Sequence, residues 1–332
     1  MMDWWHELSR VADSLRLNSA TAFTVLGRRH ESPEVAATPP DSVLTADALT
    51  ALADILYSAL HCREPSDPSP IAGFSDWVGA RDFASSLSTA NQGRGSWESG
   101  WIIRGTENGS IIAERNGVRF WVRSDDVRAQ GPLADGVSAS VRIPKEFRHL
   151  QPGFYFAVGD ADHDGNLPDA VRVYWHLWPA GAASFTALIT GRFNRAGIPF
   201  RLKLVSDPMG YRRSDPAVLY LPRSSYATAA PLLVELAPEV RPFLRSPLSA
   251  YVKRLALGVG LAEDPNDGSS FGQHRSRLIA AALVSPASAC AASVGDRLDA
   301  VAGALRAQGF DPFALHLNPG SRDEYEPFDP ER

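Results

Sequence analysis

The hydrophobic period of this chain changes at Asn91-Gln92-Gly93-Arg94-Gly95, and that change restricts the fold more than any other feature. Before it, apolar residues recur three and four positions apart. Trp4, Trp5, Leu8, Val11, Ala12 and Leu15 line one helical face, and Leu49, Leu52, Ile55 and Leu56 line another within 42–62. Residues 74–87 read as a further helix or helix pair, whereas 31–41 and 64–70 read as loops. After the change, apolar and polar residues alternate. Short strands at 101–103, 110–113 and 118–122 are joined by the turn dipeptides Asn108-Gly109 and Asn116-Gly117. Strands at 137–143, 154–158, 171–177, 200–205 and 217–221 continue the series, with helices at 183–195, 226–236, 273–283 and 294–308, the last stopping at Gly309. The polar tail 318–332 is expected to fray. The pattern predicts an α+β fold: a helical N-terminal region over 1–95, then a mostly antiparallel sheet flanked by helices over 96–332.

The 332 residues can bury a substantial core. A net charge of −5 argues against a general nucleic-acid binder, although 192–223 is locally rich in arginine. Cys62 and Cys290 lie far apart and form neither a metal motif nor a disulfide framework. The first seven residues lack the basic region and apolar core of a signal peptide. The longest apolar stretch, 278–294, is broken by Pro286 and several serines. These features predict a soluble, cytoplasmic protein with no membrane or nucleic-acid partner.

Alternation along a strand sends every second side chain to one face. Arg172, Tyr174 and His176 therefore share a face, and Val173, Trp175 and Leu177 face the core. Arg201, Lys203 and Val205 share a face opposite Phe200, Leu202 and Leu204. Such a pattern fits a solvated polar face or a cationic functional surface, and the pattern alone does not choose. The chain has three lysines, Lys145, Lys203 and Lys253, so a lysine within an apolar strand points to a group that can lose its proton, which arginine does not do. Asp160-Ala161-Asp162-His163-Asp164-Gly165 imitates the start of a calcium loop. Its twelfth position is Val171 in place of the closing Glu, so it reads as an acidic turn and no metal is expected. No Walker loop, dinucleotide fingerprint, nucleophile elbow or H-E-x-x-H is present. In 263–277, Asp267 or Ser269 can cap the helix that follows. His274 and Arg275 would then lie in its first turns, either receiving an anion or resting in water.

Four ordered motifs carry a resemblance. They are Tyr174-Trp175-His176-Leu177, Gly197-Ile198-Pro199-Phe200-Arg201-Leu202-Lys203, Tyr211-x-Arg213-x-Asp215-x-Ala217-Val218-Leu219-Tyr220, and Gly260-Leu261-Ala262-Glu263-Asp264-Pro265 followed by Ser270-Phe271-Gly272-x-His274-Arg275. With Leu87-Ser88-x-Ala90-Asn91-x-Gly93 and Gly100-Trp101 upstream, the chain resembles the HopA effector family, first named for a bacterial type III effector. Actinomycete members resemble the lyase proteins encoded beside class V lanthipeptide and thioamitide gene clusters. Ser269 departs from the Glu of many relatives and receives no role.

The resemblance implies β-elimination of phosphate from phosphoserine or phosphothreonine in a precursor peptide, giving dehydroalanine or dehydrobutyrine after a separate kinase-like partner installs the phosphate. The order of residue types is also similar to that of phosphothreonine lyases, with an acid histidine on one strand and a base lysine on a later one. It implies Lys203 as general base, His176 as an imidazolium acid and Tyr211 as a hydrogen-bond donor to phosphate or enolate oxygen. Arg213, Arg212, Arg201, Arg172 and Arg275 would grip phosphate. Asp215, Tyr174 and His274 would orient the set. No cofactor is implied. Two other readings stay open: a phosphopeptide-binding or scaffolding subunit of a kinase complex, and a host-directed effector. Trp4, Trp5 and Phe23 in the N-terminal region are candidate anchors for a peptide leader or the kinase.

Overall fold

The computed structural model describes residues 3–33, 42–63, 78–161, 167 and 169–328. Residues 64–70, 74–77, most of the 31–41 loop and residues 162–165 of the acidic turn lie outside the described residues. The fold is α+β, and every strand pairing in it is antiparallel.

α1 (Asp3–Ser14) leads into three short strands that the sequence pattern did not show, β1 (Arg16–Leu17), β2 (Ala22–Val25) and β3 (Arg28–Glu31). Four residues or fewer are too short for alternation to register. α2 (Ala46–Leu56) starts at Thr45, whose side chain accepts from the Ala48 amide, and runs into a π-helical turn, Tyr57–Cys62. α3 (Val78–Ala90) precedes the change of period. A five-stranded sheet follows, ordered β6-β5-β4-β8-β7: β4 (Ser96–Glu107), β5 (Ser110–Arg115), β6 (Val118–Val122), β7 (Val127–Ala129) and β8 (Ser138–Ile143). Both Asn-Gly dipeptides sit at positive φ, as tight turns of this hairpin geometry require.

The central sheet is ordered β14-β15-β11-β13-β12-β10-β9. Its strands are β9 (Glu146–Phe147), β10 (Phe154–Val158), β11 (Ala170–Trp175), β12 (Arg201–Val205), β13 (Ala217–Pro222), β14 (Lys253–Ala256) and β15 (Val259–Glu263). The hairpin β14–β15 was not evident in the sequence because the buried run around Gly258 and Gly260 does not alternate. The helices are α4 (Ala182–Arg195), α5 (Tyr226–Val240), α6 (Phe271–Leu283), α7 (Pro286–Ala289) and α8 (Val294–Ala307). α6 is capped by Ser270, which accepts from the Gln273 amide, and not by Asp267 or Ser269.

The central sheet is covered on both faces. On one, Val171, Val173, Trp175, Leu202, Leu204, Leu219 and Leu221 pack against Phe83 and Leu87 of α3, Phe185 and Ile189 of α4 and Leu233 of α5. Each such side chain contributes roughly 1.5–3 kcal/mol when buried. Val205 joins this core and does not share the face of Lys203. On the other face, Tyr174, Val218 and Ala262 pack with Leu52 and Leu56 of α2, Phe271 and Ile279 of α6, and Trp4 and Leu8 of α1. The polar face of β11 is therefore not solvated: helices from both ends of the chain lie over it. Trp4 and Phe23 are core residues, Trp4 donating to the Pro312 carbonyl at 2.7 Å, and Trp5 packs on Phe313. As anchors they are used internally. Nor does the tail fray through residue 328. Tyr325 is fully buried, stacks edge-on against Tyr226 and donates to Glu263 at 2.9 Å. Among the described residues no helix is long and apolar enough to cross a membrane.

Candidate active site

Register places Lys203 opposite Val218 on β13, and Val218 opposite Tyr174 on β11. The next row on the same face runs Arg201, Tyr220, Arg172. Lys203 and Arg201 are half-buried, and among the described residues neither makes an ion pair or a hydrogen bond. The Lys203 ammonium instead lies 3.7 Å from the ring centre of Phe154 and 5.8 Å from that of Phe156. Burial, followed by the cations Arg213 and Arg172, lowers its pKa to about 8 against the opposing pull of Asp215. Burial likewise lowers the pKa of Arg201, opposed by Tyr220 and Glu98. Two cations without counter-ions on one strand make an anion-receptive surface.

Arg213 and Asp215 face this surface from the segment before β13. Arg213 Nε donates to Asp215 Oδ1 at 2.5 Å and Nη2 to Oδ2 at 2.9 Å, a two-pronged contact. Nη2 also reaches the Tyr57 hydroxyl at 2.8 Å and Cys62 Sγ at 3.2 Å. Among the described residues Nη1 makes no hydrogen bond, so one edge of the guanidinium remains for a ligand. Burial works to raise the Asp215 pKa, but the hydrogen bond from His61 and the charge of Arg213 hold it well below the usual carboxylate range.

His176 follows β11 directly, fixed by its amide to the Gly258 carbonyl and by its own carbonyl to the Arg245 amide. Nδ1 donates to the Pro247 carbonyl at 2.9 Å, which leaves the lone pair on Nε2, and Nε2 is buried without a hydrogen-bond partner. Burial and the nearby Arg245 charge lower the ring's pKa to about 4, outweighing the Pro247 bond and Asp215. The expectation of a resting imidazolium is thus corrected: at neutral pH the ring is neutral and presents an acceptor. One strand, β13, separates β11 from β12, a span of roughly 10 Å between their axes.

Other residues singled out in the sequence are used elsewhere. Tyr211 is fully buried in the opposite core, edge-on to Phe83, with its hydroxyl unpartnered, because the short 3₁₀ turn Pro208–Arg212 points it inward. Arg212, half-buried, ends that turn. Arg172 is paired with Asp264 through Nε at 2.7 Å and donates to the Ser269 carbonyl, tying down the loop before α6. Arg275 is neither in water nor open to phosphate. It is fully buried, donating to the carbonyls of Leu315 at 2.7 Å and Leu317 at 2.9 Å, to Asn318 Oδ1 at 3.0 Å and to His274 Nδ1 at 2.7 Å. It pins the C-terminal segment, and His274 serves as its partner. Tyr174 lies buried edge-on to His61. Asp160 spends Oδ1 on the amides of Arg94 and Gly95. Among the described residues no group of three or more metal-ligating side chains occurs.

The sequence reading missed Tyr57, His61, Ser249 and Arg245. Only the polar His61 between buried Leu60 and Cys62 signalled anything, and its partners are 188 and 154 residues away in sequence. A cleft of about 950 Å³ between α5 and the C-terminal segment lies on the far face of the sheet. Its Arg223 is already paired with Glu263 and Glu324, so it offers no comparable chemistry.

The model of the HopA1 effector protein family matches residues 146–317, more than half of the chain. This chain belongs to the HopA1 effector protein family. The HopA1 match contains the central sheet and Lys203, His176, Arg213 and Asp215, but not the π turn. Two solved structures are similar. The effector protein from Pseudomonas syringae pv. tomato strain DC3000 is 16% identical over 96% of each chain, with a TM-score of 0.44. The effector protein from Pseudomonas syringae pv. syringae strain 61 is 16% identical over 81% of this chain and 95% of that one, also at 0.44. No curated protein matches this chain.

Proposed function

We propose that this HopA1-family protein is a lyase that eliminates phosphate from phosphoserine or phosphothreonine in a ribosomally made precursor peptide, as in lanthipeptide or thioamitide formation. The observation that carries the reading is the pair of half-buried, uncompensated cations on β12, one of them a lysine with its pKa brought down to about 8. Neutral Lys203 removes the α-proton. The electron pair forms the Cα–Cβ double bond, the Cβ–O bond breaks and phosphate departs with its oxygen. Arg201 stabilises charge developing on the substrate carbonyl, and Arg213 Nη1 binds phosphate oxygens. A phosphomonoester has its second pKa near about 6, so a monoanionic substrate brings the proton that His176 Nε2 then holds against the leaving oxygen. A kinase-like partner supplies the phosphate, and the reaction takes place in the cytoplasm.

The second reading, phosphopeptide binding without elimination, is favoured by one observation: His176 rests neutral and carries no proton of its own on Nε2. Mass spectrometry of a phosphothreonine peptide incubated with the protein separates the two. Loss of the elements of phosphoric acid supports the lyase. Intact phosphate on a tightly bound peptide supports the binder.

A further inference from the structure

Besides Asp215, Tyr57 and Cys62 of the N-terminal region hold Arg213, and the proposed reaction assigns that region nothing. We propose that the π turn Tyr57–Cys62 is the positioning element of the phosphate site, with Tyr57 and His61 fixing the Arg213–Asp215 pair so that Nη1 faces the substrate; this rests on the lyase reading.

The turn stacks Tyr57 on His61 at 5.3 Å between ring centres. From that stack the Tyr57 hydroxyl accepts from Arg213 Nη2 at 2.8 Å, and His61 Nε2 lies 3.4 Å from Asp215 Oδ2. His61 is itself fixed from behind by Ser249 Oγ, 2.8 Å from Nδ1. Ser214, between the two members of the pair, is bound to the same turn twice. Its amide donates to the Cys62 carbonyl at 2.7 Å and its hydroxyl to the His61 carbonyl at 2.6 Å. Arg63 closes the turn in the left-handed region and donates to the Leu248 carbonyl, beside Ser249. α6 presses on the ring from the other side: a Cβ on Gly272 would lie 2.2 Å from His61 Cδ2. Three other segments, those of Ser249, Gly272 and Asp215, thus converge on one imidazole, whose Nε2 edge meets Asp215. Single π turns inside helices recur at functional sites because the extra residue redirects side chains, here Tyr57 and His61 toward one carboxylate–guanidinium pair. Both act through Arg213 and are positioning residues.

The test compares wild type with Tyr57→Phe, His61→Ala and His61→Gln, the last keeping an amide donor toward Asp215. Elimination from a phosphothreonine peptide gives KM and kcat, melting gives folding, and ¹⁵N NMR reads exchange of the Arg213 Nε–H. Tyr57→Phe should raise KM about tenfold, the effect of losing one hydrogen bond to a charged group, with kcat within about threefold and the protein folded, its melting temperature lower by a few degrees. His61→Ala should do the same and speed Nε–H exchange, and His61→Gln should restore part of both. Should His61→Ala fail to fold, Tyr57→Phe decides alone. An active wild type with unchanged KM and exchange in folded variants overturns this inference and leaves the lyase reading standing. A wild type that neither binds nor eliminates overturns both.

Discussion

Lys203→Arg is the sharpest perturbation, because it keeps the positive charge and removes the basicity. With a pKa of about 8, roughly one Lys203 in ten is neutral at pH 7. At the ordinary lysine value the fraction is about 300-fold smaller, so burial and the neighbouring arginines supply the usable base. An arginine there, lowered by the same amount, is neutral in at most roughly one molecule in 10³. General base catalysis contributes about 10²–10⁴-fold, and kcat for phosphate elimination should fall by that amount while phosphopeptide affinity changes less than about threefold. The wild-type pH profile checks the same point. Log kcat/KM should be level between about pH 6 and 8, where the gain in neutral Lys203 offsets the loss of monoanionic substrate, and should fall above about pH 8 once Lys203 has lost its proton. The corresponding limb in kcat should lie at higher pH, since bound phosphate favours the ammonium. The assay is phosphate release from a phosphothreonine peptide over pH 6–9.5, with peptide binding measured in parallel. Lys203→Arg within about tenfold of wild type, or a wild-type rate flat across that range, would refute the assignment.

His176 has its pKa depressed in the fold, so the unfolded chain takes up its proton first. Stability from this group is present above about 6.5 and lost as pH falls toward about 4, by up to roughly 3 kcal/mol; His176→Gln should flatten that part of the curve in urea titrations at stepped pH. Tyr211→Phe should leave kcat and KM within about twofold and not lower stability, because the buried hydroxyl bonds nothing; a large loss of activity would return Tyr211 to the chemistry. Arg275→Met should destabilise by about 2–4 kcal/mol by stranding the carbonyls of Leu315 and Leu317, with phosphopeptide KM unchanged in the folded fraction. A selective KM effect would restore its phosphate role.

Much of the scaffold was legible because its strands alternate. The faces of Val173, Trp175, Leu202 and Leu204 follow from period two, and the Asn-Gly turns from their need for positive φ. The short strands β1–β3 and the glycine-bearing hairpin β14–β15 carry no such period and were silent. The candidate site was legible only in part. Lys203 stood out by its rarity and its place in an apolar strand. Arg172 and Arg275 have the same side chain as Arg213, and nothing local distinguishes a guanidinium saturated by backbone carbonyls and Asp264 from one with an open edge.

Sequence by itself determined the α+β class, the antiparallel sheet, the faces of its central strands and membership of the HopA1 family, because each of these depends on local period and ordered motifs. Tertiary structure alone decided that the polar face of β11 lies beneath helices from both ends of the chain, that Tyr211 turns away, and that Tyr57 and His61 hold Arg213 and Asp215. The physical reason is that burial and ion pairing are set by what packs across the sheet. Those partners come from segments more than 150 residues apart, which no local pattern encodes.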